Sequence, residues 1–291
     1  AEGDAVPEGV PGVRGVMGLS HWVEFFKVDG NGNDFLFVDD LDGRLSSRFD
    51  LPELAVRACG RRTSVGADGL LVMGWDRGAY RMRIFNADGS EADMCGNGAR
   101  CFAMMLRWLG LEDPEMEFLT NVGPVRAHVH RDSTVSLHMG FNPFGEGALF
   151  RVSERVGEVE AEMWYLHVGV PHLVLWADRW DLSEDGFRSL GARYRHDPRF
   201  PRGTNVNFVS PSEGGLTCIT YERGVEDLTL SCGTGACAVA ASAVMRGMGS
   251  PVRVESPGGY NLVEVELEDQ GARYRLRGPV RVSARGVLYV G

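Results

Sequence analysis

Two copies of one short pattern carry most of the chemistry this chain offers. They are Cys95-Gly96-Asn97-Gly98-Ala99 and Cys232-Gly233-Thr234-Gly235-Ala236, the second 137 positions after the first. Each opens an apolar run with helical spacing, so each cysteine falls at a helix start. Unpaired backbone N–H groups and a partial charge of about +0.5 gather there and favour an anion. A thiol in that place, with a free pKa of about 8.5, is expected to ionise more readily. The same N–H groups can hold a carboxylate, because glycine lets the backbone approach closely. With one cysteine on each side of an amino acid's α-carbon, one thiolate removes the α-proton and the other thiol returns a proton to the opposite face. A racemase or epimerase that works without pyridoxal requires this.

The repeat extends beyond the cysteines. At the same offset Val65-Gly66-Ala67-Asp68-Gly69-Leu70-Leu71-Val72 falls on Arg202-Gly203-Thr204-Asn205-Val206-Asn207-Phe208-Val209, Asn86 on Arg223 and Gly32 on Gly169. An ungapped register from residue 32 to residue 236 predicts duplication of a whole domain. Two copies fit two similar domains related by a pseudo-two-fold axis, with one cysteine from each at a crevice.

The elements that must position these groups are mostly strands. Strand-like runs fall at 22–28, 35–38, 69–73, 80–85, 125–129, 135–139, 166–176, 206–209, 216–221, 252–255, 262–267 and 274–282. Two helices stand apart, one after each cysteine. In the first, Ala99, Phe102, Ala103 and Leu106 follow the helical period while Met104, Met105 and Trp108 make the other faces apolar. The second has no charged residue from Cys232 to Met245. A helix apolar all round is a buried helix, and Gly110 and Gly247 read as its stops. The expected fold is α+β: two pseudo-symmetric domains, each a curved, mainly antiparallel β-sheet or barrel wrapped around one central buried α-helix. The first domain is expected at 22–141, joined by a C-terminal strand at 278–291, and the second at 142–277. Residues 1–21 read as a mobile arm.

Composition narrows the function. A chain of 291 residues with 44% hydrophobic content can bury two ordinary cores. No run approaches the ~18 apolar residues of a membrane span, and no secretory signal is recognisable at the start, so a cytoplasmic protein without a membrane partner is expected. A net charge of -10 argues against a nucleic-acid partner, whose binding depends on clustered cations. Lys27 is the single lysine, and it stands in a strand-like run, so pyridoxal chemistry, which needs a Schiff-base lysine, is disfavoured. The cysteine spacings suit neither a disulfide framework nor a metal site, and Cys59, Cys101, Cys218 and Cys237 read as small buried hydrophobes.

Lys27 to Phe35, Phe85 to Cys101, Thr204 to Val209, Tyr221 to Gly224 and Cys232 to Ala238 together closely resemble the diaminopimelate epimerase family, and the likeness runs from about Val23 to the C-terminus. The resemblance implies interconversion of LL- and meso-diaminopimelate, in the route to lysine and peptidoglycan, by two cysteines and no cofactor. It makes Cys95 and Cys232 the acid and base pair, with Gly96, Asn97, Gly233 and Thr234 around the reacting carboxylate. Asn33, Asn86, Asn205, Glu222 and Arg223 match the other substrate-binding positions, and Arg223 suits a bidentate grip on the distal carboxylate. His172 and Glu222 match positions that tune the thiols. A homodimer is implied as well.

Three departures bear on substrate identity. Val170 stands where many members of the family have Asn, Gly69 where some have Gln, and the segment between Arg223 and Cys232 is one residue longer, with Leu228 near the usual Glu. A related pyridoxal-independent racemase acting on histidine or hydroxyproline is the nearest alternative. A dithiol redox protein would leave the two anion-binding helix starts unexplained, and an amino-acid binding protein would have no use for two matched thiols.

Overall fold

The chain divides into two units: one runs to Leu137 and takes in the segment from Pro279, and the other spans His138–Gly278. The computed structural model describes residues 21–145, 151–156 and 159–290; apart from His21, the arm expected at 1–21 lies outside them.

The first unit carries β1 (Trp22–Gly30), β2 (Asn33–Asp39), α1 (Arg44–Arg48), α2 (Leu51–Cys59), β3 (Gly69–Asp76), β4 (Ala79–Asn86), β5 (Glu91–Ala92), α3 (Gly96–Trp108), β6 (Glu115–Thr120) and β7 (Gly123–Val129), and β8 (Thr134–Pro143) leads out of it. The second carries β9 (Arg151–Val156), β10 (Val159–Val168), β11 (Val170–Trp176), α4 (Glu184–Arg195), β12 (Asn205–Ser212), β13 (Gly215–Glu222), β14 (Asp227–Thr229), α5 (Gly233–Met245), β15 (Val252–Ser256), β16 (Gly259–Glu268) and β17 (Gly271–Pro279). The last strand, β18 (Arg281–Tyr289), pairs antiparallel with β1 of the first unit. Most neighbours are antiparallel, but β2 with β3 and β11 with β12 run parallel, and these two pairs carry Asn33, His172 and Asn205.

Strand parity decides which side chains face each central helix, because successive residues point to opposite faces. In the second unit Leu173, Leu175, Val206 and Phe208 pack with Phe187 and Tyr194 of α4. The intervening Val174, Trp176 and Val209 pack with Ala238, Val239 and Ala241 of α5. Both faces are covered, so β11 is apolar without alternation. His172, Asn205, Asn207, Thr220 and Glu222 share the parity of the α5 face. In the first unit Leu36, Leu70 and Phe85 pack with Leu51, Leu54 and Ala58 of α2, which turns Phe35, Phe37, Gly69 and Asn86 to α3. Phe37 meets Phe102 of α3 at a ring-centroid distance of 5.9 Å. Both central helices end alike: Gly110 and Gly247 are left-handed, at φ 74 and 92. The next N–H reaches back from Leu111 to Leu106 O at 2.9 Å and from Met248 to Ala243 O at 3.0 Å, a Schellman stop.

Several expectations need correction. The run 166–176 is not one strand but the hairpin of β10 and β11, broken by Gly169 at φ 70. The run 274–282 is also two strands, parted at Val280, whose N–H turns away to Ser133 O, after a proline with no N–H of its own. The helices number five among the described residues. In α2, Asp50 caps the Glu53 N–H with Pro52 in the first turn; in α4, Ser183 caps Gly186. Trp108 is 56% exposed and Arg100 fully buried, so α3 is neither apolar all round nor buried to its last turn.

The internal repeat is also not ungapped. Phe35 pairs with Gly69 as His172 pairs with Asn205, and Leu70 pairs with Phe85 as Val206 pairs with Tyr221. Asn33 therefore corresponds to Val170, Gly69 to Asn205 and Asn86 to Glu222, not Arg223. The register slips by one residue between β11 and β12. It is restored between Glu222 and Cys232, where the segment is one residue longer than its counterpart from Asn86 to Cys95. The short strands β5 and β14 place Leu228 opposite Tyr221 as Glu91 stands opposite Phe85.

Candidate active site

Helices α3 and α5 begin in the same way. Cys95 (φ -141, ψ 120) and Cys232 (φ -118, ψ 112) are extended N-cap residues. Each thiol sulfur accepts the N–H of the residue three along, from Gly98 and from Gly235, both at 3.4 Å. The sulfur thus does what a Ser or Asp oxygen does at an ordinary N-cap. Gly96 and Asn97, and Gly233 and Thr234, supply the remaining first-turn N–H groups. Glycine is needed at Gly235, where a Cβ would lie 2.6 Å from Asn207 Oδ1; at Gly98 a Cβ would meet only the flexible end of Ile84, Cδ1 at 3.1 Å.

In the first unit the side chain of Asn33 is held by its two ends. Its Nδ2 donates to Asp68 at 2.9 Å, which turns Oδ1 to accept from the Cys95 thiol at 3.6 Å and from Asn97 Nδ2 at 3.4 Å. Asp68 is fixed by Arg61 at 2.7 Å, and Arg61 also holds Asp34 at 2.6 Å. Lys27 completes this cluster, 2.7 Å from Asp34, and bonds Gly66 O as well. Burial alone would raise the Asp34 carboxyl; hydrogen bonds from Arg61 and Lys27 overcome it and hold it down at about 2. The single lysine is therefore a structural cation. Asn97 accepts from the fully buried Arg100 at 2.8 Å. Asn86 is exposed and donates to Ser90 Oγ at 2.9 Å within a turn. A Cβ on Gly69 would meet Phe85 O at 2.7 Å, so that position is closed to a side chain unless β3 and β4 shift.

In the second unit Cys232 is buried, and its sulfur lies 3.6 Å from the Thr234 hydroxyl. Burial, reinforced by the Glu222 charge, pushes its thiol up to about 12. The expected lowering at a helix start is overturned here, because desolvation outweighs one N–H bond. Burial also raises the Glu222 carboxyl, with the Thr229 hydroxyl opposing. Asn205 Oδ1 accepts the Arg223 N–H at 2.7 Å, and its Nδ2 reaches Pro171 O at 3.3 Å. The Arg223 guanidinium donates to Arg202 O at 3.0 Å. His172 is fully buried; burial first, then the charges of Arg223 and His167, depress its pKa to about 3. Among the described residues no hydrogen bond joins His172 to Cys232. Its ring nitrogen Nδ1 instead faces Asn207 Nδ2 at 3.3 Å.

Asn207 and Thr220 were not picked out from the sequence. Asn207 is fully buried and accepts the Thr220 hydroxyl at 3.0 Å. The signal was present: Asn205 and Asn207 are two apart in an apolar strand, so both fall on one face. Cys59, Cys101, Cys218 and Cys237 are buried free thiols. Burial pushes Cys59 up to about 11 and Cys218 to about 12, and Cys101 upward too, so none of these three is a ready nucleophile. No group of three or more His, Cys, Asp or Glu among the described residues is placed to hold a metal ion, and no described helix is long and apolar enough to cross a membrane.

Comparison with known proteins gives a consistent result. The sequence profile of the family described as "Diaminopimelate epimerase" matches residues 25–142 and 164–282. The chain is 38% identical over 270 residues to the diaminopimelate epimerase of Archaeoglobus fulgidus, covering 89% of this chain and 94% of that one. It is 39% identical over 274 residues to that of Desulforudis audaxviator, covering 88% and 96%. Among solved structures it resembles a PhzF-family phenazine biosynthesis protein of Bacillus anthracis, with TM-score 0.67, 16% identity and coverage of 91% and 98%. It also resembles a hydroxyproline epimerase of Agrobacterium vitis bound to trans-4-hydroxy-L-proline, with TM-score 0.61, 17% identity and coverage of 93% for both chains. At these identities the structural likeness establishes the two-domain fold.

Proposed function

The chain belongs to the diaminopimelate epimerase family, and we propose that it interconverts LL- and meso-2,6-diaminopimelate by proton transfer between Cys95 and Cys232, without a cofactor. The observation that carries the reading is the thiol-capped helix start built twice, with the same N–H to sulfur bond in each unit. The chemistry requires one α-carbon to be reached by both thiols, with its carboxylate held by first-turn N–H groups. In one direction the Cys95 thiolate takes the α-proton: the C–H bond breaks, an S–H bond forms, and the electron pair passes to the α-carbon and its carboxylate. The Cys232 S–H then gives its proton to the opposite face and is left as thiolate. Cys232 suits the acid role, since burial and the Glu222 charge keep it protonated. Oriented N–H dipoles stabilise the carbanion-like transition state.

Asn33, Asn86, Asn205, Glu222 and Arg223 are assigned to the substrate, with Arg223 at the distal carboxylate. Of the three departures, Val170 most favours a different amino acid, because by register it replaces the polar Asn33 of the other unit. Family membership also supports a cytoplasmic homodimer, whose mass in solution sedimentation would measure. The decisive experiment incubates reduced protein with LL-diaminopimelate in deuterated water, without pyridoxal phosphate. α-Deuterium incorporation together with meso product is expected, and Cys95→Ala and Cys232→Ala should each abolish epimerisation with the fold retained. Folded, reduced protein giving neither signal, or normal turnover by either variant, would overturn the assignment.

A further inference from the structure

We propose that Asn207 is a positioning residue that fixes His172 as a neutral imidazole with its proton on Nε2, so that His172 enters the reaction as a hydrogen-bond donor and not as an acid or base. Only its catalytic consequence rests on the epimerase reading; the protonation pattern itself does not.

The Asn207 amide cannot be reversed. Leu173 O lies 3.0 Å from Nδ2, and a backbone carbonyl only accepts, so the nitrogen must face it. At the other end Oδ1 accepts the Thr220 hydroxyl at 3.0 Å. The second Nδ2 hydrogen is left for His172 Nδ1 at 3.3 Å. A ring nitrogen facing a donor must present its lone pair, and in a neutral imidazole the proton then sits on the other nitrogen. A charged ring would set N–H against N–H. Neither partner can withdraw, since Val174 of β11 pairs with Asn207 of β12 in the middle of the parallel ladder. The titratable and charged groups acting on the ring are Arg223 and His167, and both disfavour a further positive charge.

Two observations tie this arrangement to the reaction. His172 is fully buried, yet Nε2 has no hydrogen-bond partner among the described residues. An unpaired buried donor is costly, which is tolerable where a ligand or reacting group completes the bond. Gly235, in the first turn after Cys232, packs against Asn207 Oδ1 so closely that a Cβ would stand 2.6 Å away. One amide therefore sets both the ring and the helix start that carries the thiol.

The test uses the full chain labelled with ¹⁵N-histidine, with the His172 signals assigned by their loss in His172→Gln. Two-bond ¹⁵N–¹H correlation spectra from about pH 5.5 to about pH 8.5 read which ring nitrogen is protonated around the ordinary histidine range. In the wild type, and in Thr220→Val where Leu173 O still orients the amide, Nδ1 should stay unprotonated and Nε2 protonated throughout. Asn207→Asp exchanges the donor for an acceptor, so His172 should move its proton to Nδ1 and begin to titrate within this range. The kcat of that variant should fall about ten-fold, the worth of one hydrogen bond, with KM changing less. A wild-type ring protonated on Nδ1, or titrating near 6.5, would overturn the proposal even if Asn207→Asp does not fold. Predicted spectra in a protein that fails to exchange the α-proton of diaminopimelate would sink the epimerase reading and leave the tautomer standing.

Discussion

Replacing Gly235 by alanine sets helix propensity against packing. Alanine is the better helix former by ~1 kcal/mol, so propensity alone predicts a more stable α5. The new Cβ, however, would lie 2.6 Å from Asn207 Oδ1 and 3.2 Å from both Cβ and Sγ of Cys232. Asn207 is fully buried and tied to Leu173 O, His172 and Thr220. Breaking one of those bonds and leaving its partner buried costs about 1–3 kcal/mol, and overpacking typically costs ~1–3 kcal/mol. Set against the propensity gain, the net loss is about 1–5 kcal/mol. Gly98→Ala is the matched control, at the same place in α3. Its nearest contact is the end of a flexible side chain, Ile84 Cδ1 at 3.1 Å, so it should stay within about 1 kcal/mol of the wild type. Urea unfolding midpoints at unchanged slope measure both. A Gly235→Ala protein as stable as Gly98→Ala would refute the reasoning.

Three further outcomes follow from the buried thiol and the paired charges. With Cys232 pushed up to about 12, its alkylation in the free protein should keep accelerating beyond pH 9; a plateau near pH 8 would mean that the helix start prevails over burial. The same raised pKa contributes stability that is fully present below the unfolded thiol value of 9.0 and lost as pH climbs toward 12. Cys232→Ser should therefore flatten the alkaline side of the stability curve. Asp34, lowered from 3.8 to about 2, contributes about 2 kcal/mol above its unfolded pKa and loses it as pH falls through the folded one. Lys27→Met should cost part of this near neutral pH and clearly less at pH ~2.5, where the contribution is partly lost. An equal loss at both, in chemical denaturation, would remove the ion pair from the account.

Much of the site was legible because its signals are local. A cysteine followed by Gly-x-Gly and an apolar helical run locates an N-cap from sequence alone, and both caps formed where the pattern stood. The buried central helices announced themselves by composition, and Gly110 and Gly247 by position. What failed was non-local or a matter of competing free energies. The sequence offset placed Asn86 on Arg223, whereas β-ladder pairing makes its counterpart Glu222, because a single-residue slip is invisible until the strands are paired. The thiol of Cys232 was expected to be lowered by the helix start, but its burial, which no motif encodes, dominates. The helix α4 has a sound cap, yet its stripe of Phe187 and Tyr194 is sparse and its remaining residues are largely polar, so periodicity gave little notice of it.

The pairing of β1 with β18 has a consequence for how the protein is made. Glu24 and its partner Arg285 are 261 positions apart, and Val23, Phe25 and Phe26 are buried on the strand that β18 completes. A chain emerging from the ribosome presents its first strand early and must wait for its last. The unit whose sequence is continuous, His138–Gly278, can close on itself while the earlier one is still open along one edge. Nascent protein is therefore most exposed to edge-to-edge association through β1, and the emergence of β18, more than the appearance of either cysteine motif, is the event that ends that exposure.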